Sequence, residues 1–307
     1  MGSLASPPTA RAVAIVELLI ASEHPLRISE ITQRLGLNRS TCAAILDTLE
    51  QLQWVERTTD LAFRAGPGLN PVANAVRGRL PILGAADPTM RELVHRLDIE
   101  AVTLSRLDNG FLTLVETVHR NPDFDVRPAF RLPMFPPFGA AVAAFGTEAE
   151  RASWVALIAD QGVAEHVARV LDFVRRHGVA IWHHDRAGQL LERSVAANGA
   201  LNRRLGLQDC DPSAQRELAE LALALGRSGY VARQLRPGKQ PFAVSYLAAP
   251  VFDALGQPCF SLELHVLRTD VGLDRLRELV TAVRAAADEL TAACGGDPTG
   301  HTWHPLP

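Results

Sequence analysis

Leu35-Gly36-Leu37-Asn38-Arg39-Ser40-Thr41 decides how the N-terminal part of this chain is read. Gly36 permits the positive φ of a tight turn between two helices. The second helix opens with polar Arg39, Ser40 and Thr41, and its core positions Ile45, Leu46, Leu49 and Leu52 recur three or four apart, which predicts a helix over 38–53. Working upstream, Ser29 is the N-cap candidate of a short helix that runs through Ile31 and Leu35. Before His24-Pro25, the dense apolar run Val13, Ile15, Val16, Leu18, Leu19 and Ile20 predicts a first helix with a broad buried face. Working downstream, Trp54–Arg57 and Leu61–Arg64 are extended segments around 58–60, a β-hairpin whose Arg57 and Arg64 are placed to flank phosphates. A helix pair with a glycine turn, an exposed polar opening at Asn38–Thr41 and a following hairpin is the layout of a winged helix-turn-helix, which presents a helix to a DNA major groove. A packing module with no DNA role has the same layout.

Composition bounds the rest. A chain of 307 residues, 47% of them hydrophobic, is long enough for about two domains. No apolar stretch approaches the roughly 20 residues of a membrane span, and the first ten residues lack the pattern of an export signal. Cys42, Cys210, Cys259 and Cys294 are far apart in sequence and form no C-x-x-C pair, which fits a reducing cytoplasm and argues against a zinc ribbon. Net charge is −3, and residues 1–80 hold eight arginines against seven acids, so DNA affinity has to come from a local arrangement of cations. His183-His184-Asp185 offers metal ligands only superficially, because adjacent strand residues cannot aim at one ion. No G-x-S-x-G, Walker or G-x-G-x-x-G element occurs. The expectation is therefore no catalytic residue, no metal and no cofactor.

Beyond the hairpin, Val72, Ala73, Val76 and Leu80 predict a weakly amphipathic connecting helix closed by Pro81, and Met90, Leu93, Val94 and Leu97 predict a helix over 88–97. Asp108-Asn109-Gly110 signals a hairpin between Val102–Leu104 and Leu112–Val115. The loop Arg131–Gly139 leads into a small-residue helix over 140–145, and 163–177 reads as a long helix before a strand or turn over 178–182. Helical stretches over 190–205 and 212–225 follow, with no assigned role. A last hairpin pairs Phe242–Phe252 with Pro258–Leu267, and alternation puts Ser261, Glu263 and His265 on one face and Phe260, Leu262, Leu264 and Val266 on the other. A final helix spans 273–293, and the tail, rich in Pro, His and Gly, reads as loose. The fold class is α+β, with a winged helix-turn-helix over 1–68, a linker helix over 69–84, a larger second domain over 85–294 and a tail over 295–307.

The chain resembles the isocitrate lyase regulator (IclR) family of bacterial repressors and activators. The resemblance is carried by Arg11-Ala12-Val13, Leu35–Thr41, Leu46-Asp47-Thr48-Leu49-Glu50 and Arg64-Ala65-Gly66-Pro67, and again by Leu247-Ala248-Ala249-Pro250-Val251-Phe252-Asp253-Ala254-Leu255-Gly256. It covers nearly the whole chain and is firm at the two ends. It implies a GAF-like effector domain, an antiparallel sheet flanked by helices, and assembly as a homodimer or a dimer of dimers. It puts Arg39, Ser40 and Thr41 at the start of the recognition helix, Arg11 on a first-helix phosphate contact and Arg64 on the wing. Where many relatives continue with polar or basic residues, this chain has Cys42, Ala43 and Ala44, so base readout there falls to apolar contacts or to Arg39.

The resemblance also implies that the segment holding Pro137, Phe138 and Gly139 caps an effector pocket, with Phe135-Pro136-Pro137 where relatives have a histidine-alanine-threonine run. A buried loop under the sheet is the competing reading. It implies that Ser261, Glu263 and His265 line the cavity, where a carboxylate beside an imidazole would bind a cationic or hydroxylated ligand; a solvent-facing strand face competes. Arg131, Arg233 and Tyr246 are further candidates for a polar ligand group. The expected function is a cytoplasmic, ligand-responsive regulator that binds a double-stranded DNA operator as a dimer. A sensor that acts through protein contacts without DNA, and an enzyme using Glu263 and His265 as an acid–base pair, are the alternatives.

Overall fold

The computed structural model describes residues 6–20, 22, 24–108, 110–120, 131–134, 136, 138–157, 161–183, 235 and 241–307. The helical stretches expected within 189–229 lie outside them, as do Pro137, His184 and Arg233. The chain divides into two compact units, Met1–Leu80 and Pro81–Pro307.

The first unit holds α1 (Pro7–Ile20), β1 (Leu26–Arg27), α2 (Ile28–Leu35), α3 (Arg39–Gln51), β2 (Val55–Arg57), β3 (Ala62–Ala65) and α4 (Leu69–Arg79). The strands form an antiparallel sheet in the order β1-β3-β2. One apolar cluster unites the unit: Ile15 and Leu19 from α1, Ile31 from α2, Cys42, Leu46 and Leu49 from α3, and Leu26, Val55 and Phe63 from the strands. Each large aliphatic side chain withdrawn from water there stabilises the unit by about 1.5–3 kcal/mol. Gly36 ends α2 at φ 63°, and Asn38 caps α3 by accepting the Thr41 N–H at 2.8 Å. The cap of α2 is Arg27 rather than Ser29, which lies inside the first turn; Glu30 accepts the Arg27 N–H at 2.7 Å, so the acid three residues on does the capping. No residue of α4 is buried.

The second unit opens with α5 (Pro81–Leu97), which starts seven residues before the helix that periodicity suggests. Pro81 suits a first helical position, where its N–H would be unsatisfied anyway. Pro88 sits inside the helix and removes one donor, opposite Gly84 on the exposed side. Then come β4 (Ala101–Asp108), β5 (Phe111–His119), β6 (Arg131–Pro133), α6 (Ala140–Ala143), α7 (Glu148–Val155), α8 (Gln161–His177), β7 (Ala180–Trp182), β8 (Phe242–Phe252), β9 (Pro258–Val271) and α9 (Leu273–Ala293). The six strands are antiparallel in the order β6-β5-β4-β9-β8-β7. Strands β4 and β5 turn at Gly110, φ 78°. Helices α5 and α9 pack against β4, β5, β8 and β9, while α6 and α8 meet β8, β9 and β7 around a second apolar cluster that includes Trp154, Trp182 and Tyr246.

One expectation is overturned here. The tail folds back instead of hanging loose: Leu306 is buried, the His304 N–H donates to the Arg176 carbonyl at 3.0 Å, and His301 stacks on Trp303 with ring centroids 5.1 Å apart. Trp303 lies against Gly178, where an added Cβ would come within 2.5 Å of the indole. Its Pro and Gly content suggests looseness, but the aromatic and imidazole rings supply enough surface to dock. The thiols of Cys259 and Cys294, 35 positions apart, share a hydrogen bond, since the β8–β9 turn meets the end of α9 through the Asp253–Gly295 bridge.

A Cβ on Gly66 would lie 2.3 Å from the Gln53 carbonyl oxygen, where the β3 exit crosses the end of α3, whereas one on Gly84 meets nothing within 4 Å. Gly66→Ala is therefore expected to lower the stability of the first unit by about 1–3 kcal/mol, and Gly84→Ala to leave the second unit unchanged or slightly raised. Denaturant unfolding of the two full-length variants, followed by Trp54 fluorescence and by far-UV circular dichroism, checks both.

Candidate functional site

The first turn of α3 stands clear of the core. Arg39 and Ser40 are exposed and Thr41 is half-buried. Arg39 makes no hydrogen bond or ion pair with any described residue. Asn38 is occupied as the cap, and the Ser40 hydroxyl donates to its Oδ1 at 3.0 Å, which holds both side chains at the helix entrance. Cys42 is fully buried in the core, and burial pushes its thiol pKa up. This corrects the reading of Cys42 as part of base readout: helical geometry turns it inward, away from the face that carries Ser40.

The same geometry exposes Ala44, Asp47, Thr48 and Gln51, four to eleven residues after Ser40 and on its face. The 3.6-residue period contains that signal, but the polar opening alone does not reach it. Asp47 puts an acceptor on the face, which suits a cytosine amino group and opposes phosphate. On the hairpin, Arg64 is held by Glu56 at 3.0 Å, its cross-strand partner. Arg57 lies 5.5 Å from the Phe63 ring centroid. Both arginines are exposed, and so are Arg11 and Ser29. The Arg64–Glu56 pair is a surface ion pair, weak enough to exchange for a phosphate.

The second site lies on the sheet. Strand β9 pairs with β4 through Ser261↔Ser105, Glu263↔Thr103 and His265↔Ala101, and with β8 through Ser261↔Pro250, Glu263↔Ala248 and His265↔Tyr246. Trp182 of β7 sits opposite Tyr246. Cross-strand partners share a face, so these residues converge under α6 and α8. Ser261 and His265 are buried, and the reading of this row as a solvent-facing strand face is wrong because helices cover it.

The Thr103 hydroxyl joins the row. It donates to Glu263 Oε2 at 3.4 Å and meets His265 Nε2 at 2.9 Å. Having one proton, it accepts from a protonated Nε2 while donating to the carboxylate. The Ser261 hydroxyl donates to Glu263 Oε1 at 3.3 Å. Burial raises the Glu263 pKa from 4.5 to about 7, against the smaller lowering effect of the two hydroxyls. Tyr246 stands edge-on to His265 with centroids 4.8 Å apart and to Trp182 at 5.8 Å. The Thr117 hydroxyl and the Trp154 indole nitrogen are buried without a hydrogen-bond partner among the described residues.

Of the other expected effector residues, Gly139 is buried at φ 83° and caps α6, with Phe138 half-buried beside it. Arg131 is not brought to this row: it belongs to β6, three strands from β9, or roughly 14 Å at normal strand spacing. Pro137 and Arg233 fall outside the described residues. Thr103, Thr117, Trp154 and Trp182 join the site without having been singled out in sequence. The alternation of Thr103 and Ser105 along β4 is the signal that could have found the first of them. Among the described residues no group of three or more His, Cys, Asp or Glu is placed to hold a metal ion, and no helix is long and apolar enough to cross a membrane.

A family model described as the IclR helix-turn-helix domain matches residues 8–59. The HTH-type transcriptional regulator TtgV of Pseudomonas putida is 33% identical over 110 residues, which are 36% of this chain and 41% of TtgV. The chain thus matches less than half the length of that relative. Among solved structures, the Thermotoga maritima IclR has a TM-score of 0.59 at 15% identity, covering 94% of this chain and 98% of its own. An IclR homolog of Microbacterium hydrocarbonoxydans complexed with 4-hydroxybenzoate has a TM-score of 0.54 at 17% identity, over 94% of this chain and 99% of its own. At such identities the likeness is one of fold.

The raised Glu263 pKa has a thermodynamic consequence. Between pH 4.5 and about 7 the unfolded chain releases this proton while the folded chain keeps it, so the Glu263 contribution to stability falls as pH rises and levels off above 7. Glu263→Gln removes that loss. The stability of the variant relative to wild type is expected to rise by on the order of 3 kcal/mol from pH 4 to pH 8, measured by urea unfolding at each pH.

Proposed function

We propose, for a chain that carries an IclR helix-turn-helix domain on the fold of the IclR transcriptional regulators, that it is a DNA-binding regulator whose operator affinity answers to a small molecule. The observation that carries this reading is the exposed Arg39, which pairs with none of the described residues, at the entrance of a helix whose remaining outward positions are small or polar. In this reading α3 enters the major groove, with Arg39, Ser40, Asp47 and Thr48 against base edges, and Arg11, Arg57 and Arg64 contact the phosphates beside it. Residues 1–68 serve as the DNA-binding domain, 69–84 as the linker and 85–294 as the effector-binding domain. A homodimer sets two α3 helices at half-site spacing, and ligand on the β9 polar face shifts the equilibrium between arrangements of differing operator affinity. The relative solved with 4-hydroxybenzoate supports a small-molecule ligand for this fold. The protein acts in the cytoplasm, where its DNA lies.

A second reading, a sensor that acts through protein contacts alone, is favoured by the near balance of charges in residues 1–80, by the Arg64–Glu56 pair and by Asp47 on the outward face. Gel-shift titration of the DNA upstream of its own gene separates the two. Wild type is expected to shift a discrete fragment in the presence of excess competitor DNA, with affinity falling steeply as salt rises. Arg39→Ala is expected to weaken that shift by about 1–3 kcal/mol while leaving the melting temperature unchanged. A fragment retained no better than competitor DNA would favour the second reading.

A further inference from the structure

We propose that the β9 polar face takes its ligand by a protonated amine seated against Glu263, with an aromatic or aliphatic body against Tyr246, Trp182 and Trp154, and that it disfavours carboxylates. This rests on the ligand-responsive reading above and goes further by naming the chemical class.

Glu263 is half-buried on the helix-covered face of β9, and among the described residues its carboxylate meets only the Ser261 and Thr103 hydroxyls, at 3.3 and 3.4 Å. Among the described residues no arginine or lysine offsets the burial that raises its pKa. A carboxylate withdrawn from water without a cation is costly to ionise, which is why it holds its proton toward neutral pH. The two hydroxyls use one acceptor position on each oxygen, and an ionised carboxylate offers about four in all. An ammonium brings three donors and a charge of the required sign. A carboxylate ligand would instead face a second carboxylate across a site of low polarity, where like charges disfavour one another.

The neighbours point the same way. The His265 imidazole is already directed at Thr103 through Nε2 and packs on the Tyr246 ring, so it orients the hydroxyl that faces Glu263. Tyr246 and Trp182 meet edge to face, their planes 74° apart, at one end of the row, and aromatic faces of this kind attract ammonium groups. Trp154 shares the apolar cluster with both, and its buried indole N–H, like the Thr117 hydroxyl, has no protein acceptor among the described residues. An amine with a hydroxyl or ether oxygen on its far end would satisfy such a donor as well.

The test uses three probes with one ring: tyramine, 4-hydroxybenzyl alcohol and 4-hydroxybenzoate. Each is titrated calorimetrically into the full-length protein at pH 8, with benzylamine and butylamine extending the amine class. Tyramine is expected to bind wild type at least tenfold more tightly than either the alcohol or the acid. Glu263→Gln is expected to erase that preference, and Glu263→Asp, which keeps the charge, to retain it at lower affinity. The acid binding as tightly as the amine, or an amine preference that survives Glu263→Gln, overturns the proposal while leaving a ligand-binding second unit in place. No binding by any of the five probes overturns the proposal, and if a wider set of metabolites also leaves the melting temperature unmoved, the ligand-responsive reading goes with it.

Discussion

Strand β9 is hydrogen-bonded on both sides, to β4 and to β8, and that double pairing is the constraint on which the second unit depends. A strand with two neighbours cannot slip by one residue without exchanging its faces on both of them. Leu262 and Leu264 are therefore committed to the fully buried core, and Ser261, Glu263 and His265 are committed as a set to the opposite face. The polar row is a by-product of the most heavily restrained element in the sheet. Its carboxylate, imidazole and hydroxyls are consequently held in fixed register with Tyr246 of the neighbouring hairpin strand and with Thr103, which comes from a strand far away in the chain.

The first unit solves a different problem with local means. Gly36 and Asn38 place the start of α3, and the close passage of Gly66 over Gln53 ties the hairpin to its end. The ends of the helix are thus set by a glycine turn, one short side-chain cap and a close backbone passage rather than by large side chains, which leaves its outward face free to vary. That separation is why α3 was legible from sequence. The 3.6-residue period and the glycine turn are local signals, and they describe this helix to within two residues at either end.

The second unit was legible where its signals are local and opaque where they are not. Alternation along β9 named Ser261, Glu263 and His265, but it could not say which face is covered, because the covering helices α6 and α8 lie about ninety residues or more upstream. Thr103 becomes part of the site only through pairing across 160 residues, and no periodicity carries information over that distance. Arg131 was attractive as a cation near a loop, but sheet order places it at the far edge. Ser29 and Cys42 misled for a shared reason: residue type suggested a role, and a one- or two-position offset in the helix decided otherwise. Pro88 misled in the opposite sense, since proline marks a boundary in isolation and is tolerated where its missing hydrogen bond faces solvent.

The docked tail bears on how the polar row is kept closed. Arg284 of α9 donates to the main-chain carbonyls of both His177 and His304, and the His177 ring meets the His304 carbonyl at 3.1 Å. These contacts fasten the end of α8 to α9 around the edge of the sheet, and Trp303 wedges against Gly178 where the chain turns into β7. Helix α8 is thus bolted at its C-terminal end, through the docked tail, to the scaffold helix α9 on the far side of the sheet edge.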